Sequence, residues 1–431
     1  MNFRQTPPPI STIRPLTLPP MRRFTLPSGM TFLFYDRCDK DIANISVIVN
    51  GGFAEATSPA IAVLAADMQR EGSRSMSGAE IASHLDFNGA WIKSSPSSHH
   101  TRHSIFTLRH RLKNVLPVFA DLIFHPSFPE QELTVRRESL ARNIEVSRSN
   151  VAYLSRCRSE KMIMGENHPL ATEDTPDDIR RITADDLKRF HSAHAGASAV
   201  TVLICADISE DEIREIIDIF NIAALQSNPS SLRCRTFNPM APSGAEPDLI
   251  RLENASQSSV VLTLPAIPRS HPDYLPLHMT VFALGGYFGS RLMLNIREDK
   301  GLTYGISASL QGYIDDSYIE IAAETDNAHT GRLIDEVRSE LSRLSSDPCH
   351  GDELTRIRQA AQATQVAVLD SPLAITNHHA TTILSGLPDG YFEAKQQAIR
   401  SLTPDIIAEM ASRYLRPELL RIAITGNPVN I

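Results

Sequence analysis

Residues 132–146, ELTVRRESLARNIEV, and residues 353–368, ELTRIRQAAQATQVAV, open with the same three residues, 221 positions apart. They decide the fold, because other landmarks recur at the same distance. Arg181-Ile182-Thr183-Ala184-Asp185 opens a helix ending near His191, and Arg400-Ser401-Leu402-Thr403-Pro404-Asp405 opens one ending near Tyr414, at an offset of 220. A threonine hydroxyl can satisfy an orphan amide of the first helical turn, so Thr134, Thr183, Thr355 and Thr403 are read as N-caps. Both later helices lead into β-rich runs, AVTVLIC at 199–205 and LRIAIT at 420–425. Landmarks that agree within one residue over such a distance indicate a duplicated unit.

The chain therefore divides into an N-terminal domain at 1–226, a linker at 227–247 rich in Pro, Ser, Asn and Gly, and a C-terminal domain at 248–431. Each half reads as strands, then paired helices, then more strands, with strand runs at 30–35, 45–49 and 104–108. Consecutive strands without regular crossover helices predict an α+β class, each unit a mainly antiparallel sheet with helices on one face. The 431 residues suit two domains of roughly 200 residues each.

Composition narrows the function. Hydrophobic residues make up 42% and charged residues 21%, a globular balance. The net charge of -8 supplies no basic field for nucleic acid or an anionic membrane. Apolar runs such as residues 60–66 fall far short of the roughly 20 residues that span a bilayer, and the start MNFRQTPPP lacks the apolar stretch of a secretion signal. Five cysteines, Cys38, Cys157, Cys205, Cys234 and Cys349, form no C-x-x-C. They read as reduced, mostly buried thiols of a cytoplasmic protein.

Two passages carry a resemblance. Ser58-Pro59 offers an N-cap and an N1 proline for a helix through residues 60–68, AIAVLAADM, followed by Glu71-Gly72-Ser73, Glu80-Ile81, Leu85, Gly89-Ala90 and later His168-Pro169-Leu170. In the second half, residues 285–292, GGYFGSRL, run into residues 296–305, IREDKGLTYG. Their order and spacing resemble the pitrilysin/insulinase (inverzincin) zinc peptidases, whose first-domain helix carries H-x-x-E-H. The resemblance extends over nearly the whole chain. It implies two homologous α/β-roll units forming half of a clamshell, four such units making up a working enzyme in one fused chain or two subunits.

The zinc chemistry is missing where the resemblance places it. Two histidines at i and i+4 share a helical face and can bind one zinc, with a glutamate beside them as base and a third ligand from a neighbouring helix. Aligned by Met68 and Gly72, those positions fall at Val63, Ala66 and Asp67, with the third ligand at Asn143. Valine and alanine carry no donor, asparagine is a weak neutral one, and Asp67 alone makes no site. The expectation is a chain with no catalytic residue and no metal of its own, zinc belonging to a partner subunit. His99 and His103 are also four apart, but in a strand four residues span roughly 13 Å, too far for one ion; in a loop the geometry would be open. His378 and His379 are adjacent on a helical stretch and point about 100° apart.

Arg297 and Tyr304 keep the spacing of the family's substrate-holding Arg/Tyr pair. The guanidinium and the phenol offer several donors for a peptide carbonyl, and near a metal they would stabilise a developing oxyanion. Gly301 between them is placed as a helix C′ residue, so Arg297 ends a helix and Tyr304 opens a strand. The competing reading makes Arg297 a partner of Glu298 or Asp299 and Tyr304 a core aromatic alongside Ile306 and Ala308. Gly285, Gly286 and Gly289 read as a flexible loop that either contacts substrate or permits tight packing; no phosphate-loop pattern is present.

The expected function is the zinc-less subunit of a heterodimeric metallopeptidase, binding peptide opposite the zinc of a homologous partner and able to form a homodimer when alone. The alternative is an inert scaffold or peptide-binding protein of the same fold. A free-standing enzyme using Cys157 or a serine has no local signature.

Overall fold

In a computed structural model, the described residues are 14–38, 41–224, 246–314, 317–429 and 431. The expected linker at 227–247 lies almost wholly outside them, as does Cys234.

The first half begins with strands β1 (Arg22–Thr25), β2 (Thr31–Tyr35) and β3 (Ile42–Asn50). Helices α1 (Pro59–Met68) and α2 (Gly78–Phe87) lead to strands β4 (Trp91–Pro96) and β5 (His100–Leu108). Helices α3 (Leu112–Phe124), α4 (Glu130–Ser147), α5 (Val151–Met164), α6 (Pro176–Arg181) and α7 (Ala184–His194) follow, then strand β6 (Val200–Cys205) and helix α8 (Glu210–Ala224). The second half has strands β7 (Asp248–Arg251) and β8 (Gln257–Pro265), helix α9 (Tyr274–Gly285) and a π-helix over Met293–Asp299. Strands β9 (Thr303–Gly312) and β10 (Ser317–Asp326) precede helices α10 (Thr330–Ser346), α11 (Gly351–Val368) and α12 (Pro372–Leu384). Helices α13 (Tyr391–Ser401) and α14 (Pro404–Tyr414) and strand β11 (Arg421–Gly426) close the chain.

Two sheets result, β1-β2-β6-β3-β5-β4 and β7-β11-β8-β10-β9. All pairings are antiparallel except β2 with β6 and β7 with β11. The class is α+β, with two homologous α/β-roll units in a clamshell half.

Thr183 and Thr403 cap their helices as expected, accepting from the amides of Asp186 and Ile406. Thr134 and Thr355 do not. Their helices begin four residues earlier, and each hydroxyl donates back to a carbonyl of its own helix, Glu130 at 2.9 Å and Gly351 at 3.1 Å. Glu130 and Glu132, and Asp352 and Glu353, occupy these earlier first turns, where acidic side chains favour the helix dipole and extend the helix upstream.

The helices of each half cover one face of its own sheet. Phe32, Phe34, Ile45 and Val202 meet Phe119 of α3 and Phe220 of α8; Leu262, Ile321 and Ile422 belong to one core with residues of α9, α10 and α14. The opposite faces are covered reciprocally. Helix α5 lies on the second sheet, its Ser155 hydroxyl donating to the Ser259 carbonyl at 3.0 Å and its Arg158 pairing with Asp248 at 2.6 Å. Helix α12 lies on the first sheet, where Ala380 meets Leu33, Ile48 and Leu203. Ser155 and Ser159 on α5, and Thr376 and Ala380 on α12, are buried and small, so each helix can approach its sheet closely. The segment before β1 adds a tie: Leu16 N donates to Gln396 Oε1 at 2.9 Å, and Gln396 Nε2 donates back to Leu16 O at 2.7 Å.

Candidate functional site

The cross-packing of α5 creates a cleft between the halves. Two adjoining cavities, each of about 430 Å³, share Arg156 in their walls. One is bounded by Tyr304 and Gly305, by Ser259 and Val261 of β8 and by Glu320 of β10. The other is bounded by Val63 of α1, Ile144 of α4, Tyr153 and Glu160 of α5, Glu173 and Tyr313. Tyr304 and the degenerate metal helix therefore border adjoining cavities.

On its metal-helix side, Ser58 and Pro59 start α1 as the sequence indicates, and Asp174 Oδ2 accepts from the Ala60 amide at 2.7 Å in place of a local cap. Val63 lines the cleft, Ala66 is buried, and Asp67 and Asn143 are exposed. Two of the four positions offer no donor atom, so these residues do not fit a zinc site. Among the described residues, no group of three or more His, Cys, Asp or Glu is arranged to hold a metal. The other histidines have separate partners. His99 Nδ1 lies 3.1 Å from Glu55 Oε1, and His103 Nδ1 lies 2.8 Å from Ser94 Oγ. Burial pushes His103 down to about 3 and His100 down to about 4, which keeps both rings neutral. His379 Nε2 meets the Pro19 carbonyl at 2.8 Å, and His378 sits edge-on to Phe392.

On the other side, the segment bearing Arg297 is fixed by side chains from two helices. Arg291 is clasped by Glu353 of α11 at 2.8 and 3.1 Å. Asn295 Nδ2 donates to Glu340 Oε1 of α10 at 2.8 Å, and Lys300 pairs with Glu336 of the same helix. Burial disfavours the charge on Arg291, but Glu353 overcomes this and raises its pKa above the ordinary value. The π-helix closes as the sequence predicts. Gly301, at φ 61°, donates to Arg297 O at 3.2 Å and Leu302 N donates to Ile296 O at 2.9 Å, an ending like a Schellman motif but one residue wider, with Leu302 and Ile296 both buried. Wider-wound helical turns are frequent at functional sites.

Tyr304 opens β9, but it is not a core aromatic: it is 92% exposed. Between the pairs Ile306–Ala323 and Thr303–Thr325 the register shifts, so that Tyr304 and Gly305 together oppose Glu324. This bulge breaks the alternation and turns the phenol outward. The guanidinium carbon of Arg297 lies 5.4 Å from the Tyr304 ring centroid and 4.6 Å from that of Phe288. Its Nη1 is buried, lies 3.7 Å from Glu298 Oε1 and makes no hydrogen bond. The ion pair with Glu298 thus exists, yet it leaves this buried nitrogen without a hydrogen bond.

The glycines are not one loop. Gly285 is the last residue of α9, and a Cβ there would lie 2.5 Å from Ala308 N of β9. At Gly286 a Cβ would lie 2.6 Å from Phe282 Cα, and at Gly289 2.9 Å from the Tyr287 ring. Gly285 and Gly286 are held by close backbone packing, and neither they nor Gly289 has a positive φ. The residue that sequence reasoning passed over is Phe288, between these glycines, whose only signal was a large aromatic in a glycine-rich run. Glu160 is a second. Burial, assisted by Glu320 and Glu173 and opposed by Arg156, pushes its carboxyl up to about 7, so it can exchange a proton near neutrality.

Fold and site together define a peptidase-like clamshell half of the metallopeptidase type. Comparison with known proteins assigns it more closely. The insulinase (peptidase family M16) model matches residues 33–175, and the peptidase M16 inactive domain model matches residues 181–361. The chain belongs to this family, peptidase family M16. It is 22% identical over 411 residues to an uncharacterized zinc protease of Streptomyces coelicolor, covering 93% of this chain and 88% of that one. An uncharacterized zinc protease of Bacillus subtilis is also 22% identical, over 358 residues, covering 81% and 85%. A peptidase M16 inactive domain from Pseudomonas fluorescens superposes with a TM-score of 0.86 at 21% identity, covering 95% of this chain and 98% of that one. The periplasmic protease PqqL of Escherichia coli superposes at 0.79 with 14% identity, covering 99% of this chain but 49% of that one. Among the described residues, no helix is long and apolar enough to cross a membrane.

Proposed function

We propose that this chain is the zinc-less, substrate-holding member of a two-subunit M16 peptidase. A homologous partner would supply zinc and general base, and this chain would hold the peptide across from that metal. The observation that carries the reading is the state of Arg297. Its guanidinium is carried by a tethered helix and lies against two exposed aromatic rings, one of them the cleft-lining Tyr304, while its buried Nη1 makes no hydrogen bond. The loss of donors at Val63 and Ala66 supports the division of labour, since a subunit that holds substrate needs no metal of its own.

Held in this way, the guanidinium of Arg297 can donate in its plane to a peptide carbonyl, and the exposed Tyr304 hydroxyl can donate beside it. Such donors stabilise charge developing on the carbonyl oxygen when the partner's nucleophile attacks. The test is to combine the purified chain with a zinc-bearing M16 subunit from the same source and follow cleavage of a quenched fluorescent peptide. Arg297→Ala should lower kcat/KM by about a hundredfold or more, as loss of an oxyanion donor does, and Tyr304→Phe should also lower it. Undiminished cleavage by both variants would sink the proposal.

A further inference from the structure

Phe288 is 65% exposed although it is a large apolar side chain on a short, closely packed turn. The turn is rigid on both sides. Gly285 and Gly286 leave no room for a Cβ, and Tyr287 stacks on Phe282 with ring centroids 5.2 Å apart and planes 11° apart. Downstream, Ser290 N donates to Tyr287 O at 3.1 Å, and Arg291 is clasped by Glu353. Such a turn does not expose a phenylalanine through slackness. It presents the ring beside the guanidinium of Arg297, at 4.6 Å, nearer than the Tyr304 ring.

We infer that Phe288 is a specificity-determining residue, which makes this site take peptides with a large apolar side chain next to the carbonyl that Arg297 holds. The inference rests on the peptide-holding reading of Arg297 and adds what that reading leaves open, the kind of peptide. Two properties of the ring act together. Its face attracts the guanidinium electrostatically and restricts its orientation, so the group is oriented before substrate arrives. The rest of its exposed surface is apolar and adjoins the donors, so a neighbouring apolar side chain of the peptide would remove both surfaces from water. A polar side chain in the same place would lose hydration without a hydrogen-bonding partner on the ring.

The experiment uses the purified full chain and two fluorescein-labelled decapeptides, acetylated and amidated, identical except that a central leucine is replaced by serine. Binding is read by anisotropy, with thermal unfolding as a control for folding. The wild-type chain should bind the leucine peptide about tenfold more tightly than the serine peptide. Phe288→Ala should bring the two affinities together, Phe288→Tyr should restore the difference, and Arg297→Ala should weaken both peptides alike. Equal affinities for the wild-type chain, or a preference that survives Phe288→Ala, would overturn the role of Phe288 while leaving peptide holding intact. If neither peptide binds, the peptide-holding reading falls and the inference with it.

Discussion

Arg291 is the residue on which the position of Arg297 depends. Its guanidinium is buried and clasped by Glu353 through two hydrogen bonds. Removing one partner of a buried ion pair leaves an unpaired charge, which costs about 3–5 kcal/mol. Glu353→Ala should therefore lower the free energy of unfolding, read from urea titration, by an amount of that order, while Glu353→Gln, which keeps one acceptor, should cost less. Equal and negligible effects of both would mean that the clasp does not hold the segment. Phe288 and Tyr304 are the other decisive residues at this scale, because two exposed aromatic faces restrict the guanidinium without using its in-plane donors.

Helix α9 and strand β9 meet at Gly285, where the absent side chain sets the distance between them. An added methyl would lie 2.5 Å from Ala308 N and 2.6 Å from Ala308 Cβ, and neither can move without moving the strand. Overpacking of this kind costs typically 1–3 kcal/mol. Gly285→Ala should lower stability by about that much. Gly390→Ala, where nothing lies within 4 Å of the added methyl, serves as the near-neutral control; thermal unfolding of the two variants side by side is the measurement. Comparable stabilities would show that the contact yields. The same two elements explain how much of the site was legible. The Arg297-to-Tyr304 spacing and the Gly301 helix ending are local and could be read directly. The outward turn of Tyr304 could not, because it depends on a register shift against β10, a strand about 20 residues further along.

The two halves of the molecule are not independent bodies, because α5 covers the sheet of the second half and α12 that of the first. Each half alone would leave a sheet face bare and carry a helix with nothing to cover. The whole chain should therefore unfold in a single cooperative transition, with calorimetric and van't Hoff enthalpies equal. Residues 1–224 and 246–431 produced separately should aggregate, and produced together they should co-purify as a one-to-one complex. A soluble, monomeric 246–431 with its own sharp melting transition would contradict this. A rigid half also means that opening of the proposed clamshell would occur between chains.

The sequence by itself determined the duplication, the α+β class, the helix starts at Ser58, Thr183 and Thr403, the missing donors at Val63 and Ala66, and the spacing of Arg297 and Tyr304. These are readable because periodicity, capping and ligand chemistry act within a few neighbouring residues. Only the tertiary structure decided that Thr134 and Thr355 lie inside their helices, that Gly285 is a contact with β9, that α5 and α12 are exchanged between halves, and that Phe288 lies against Arg297. Each of these depends on which distant surface a residue meets, and that is settled when apolar faces far apart in the chain bury one another.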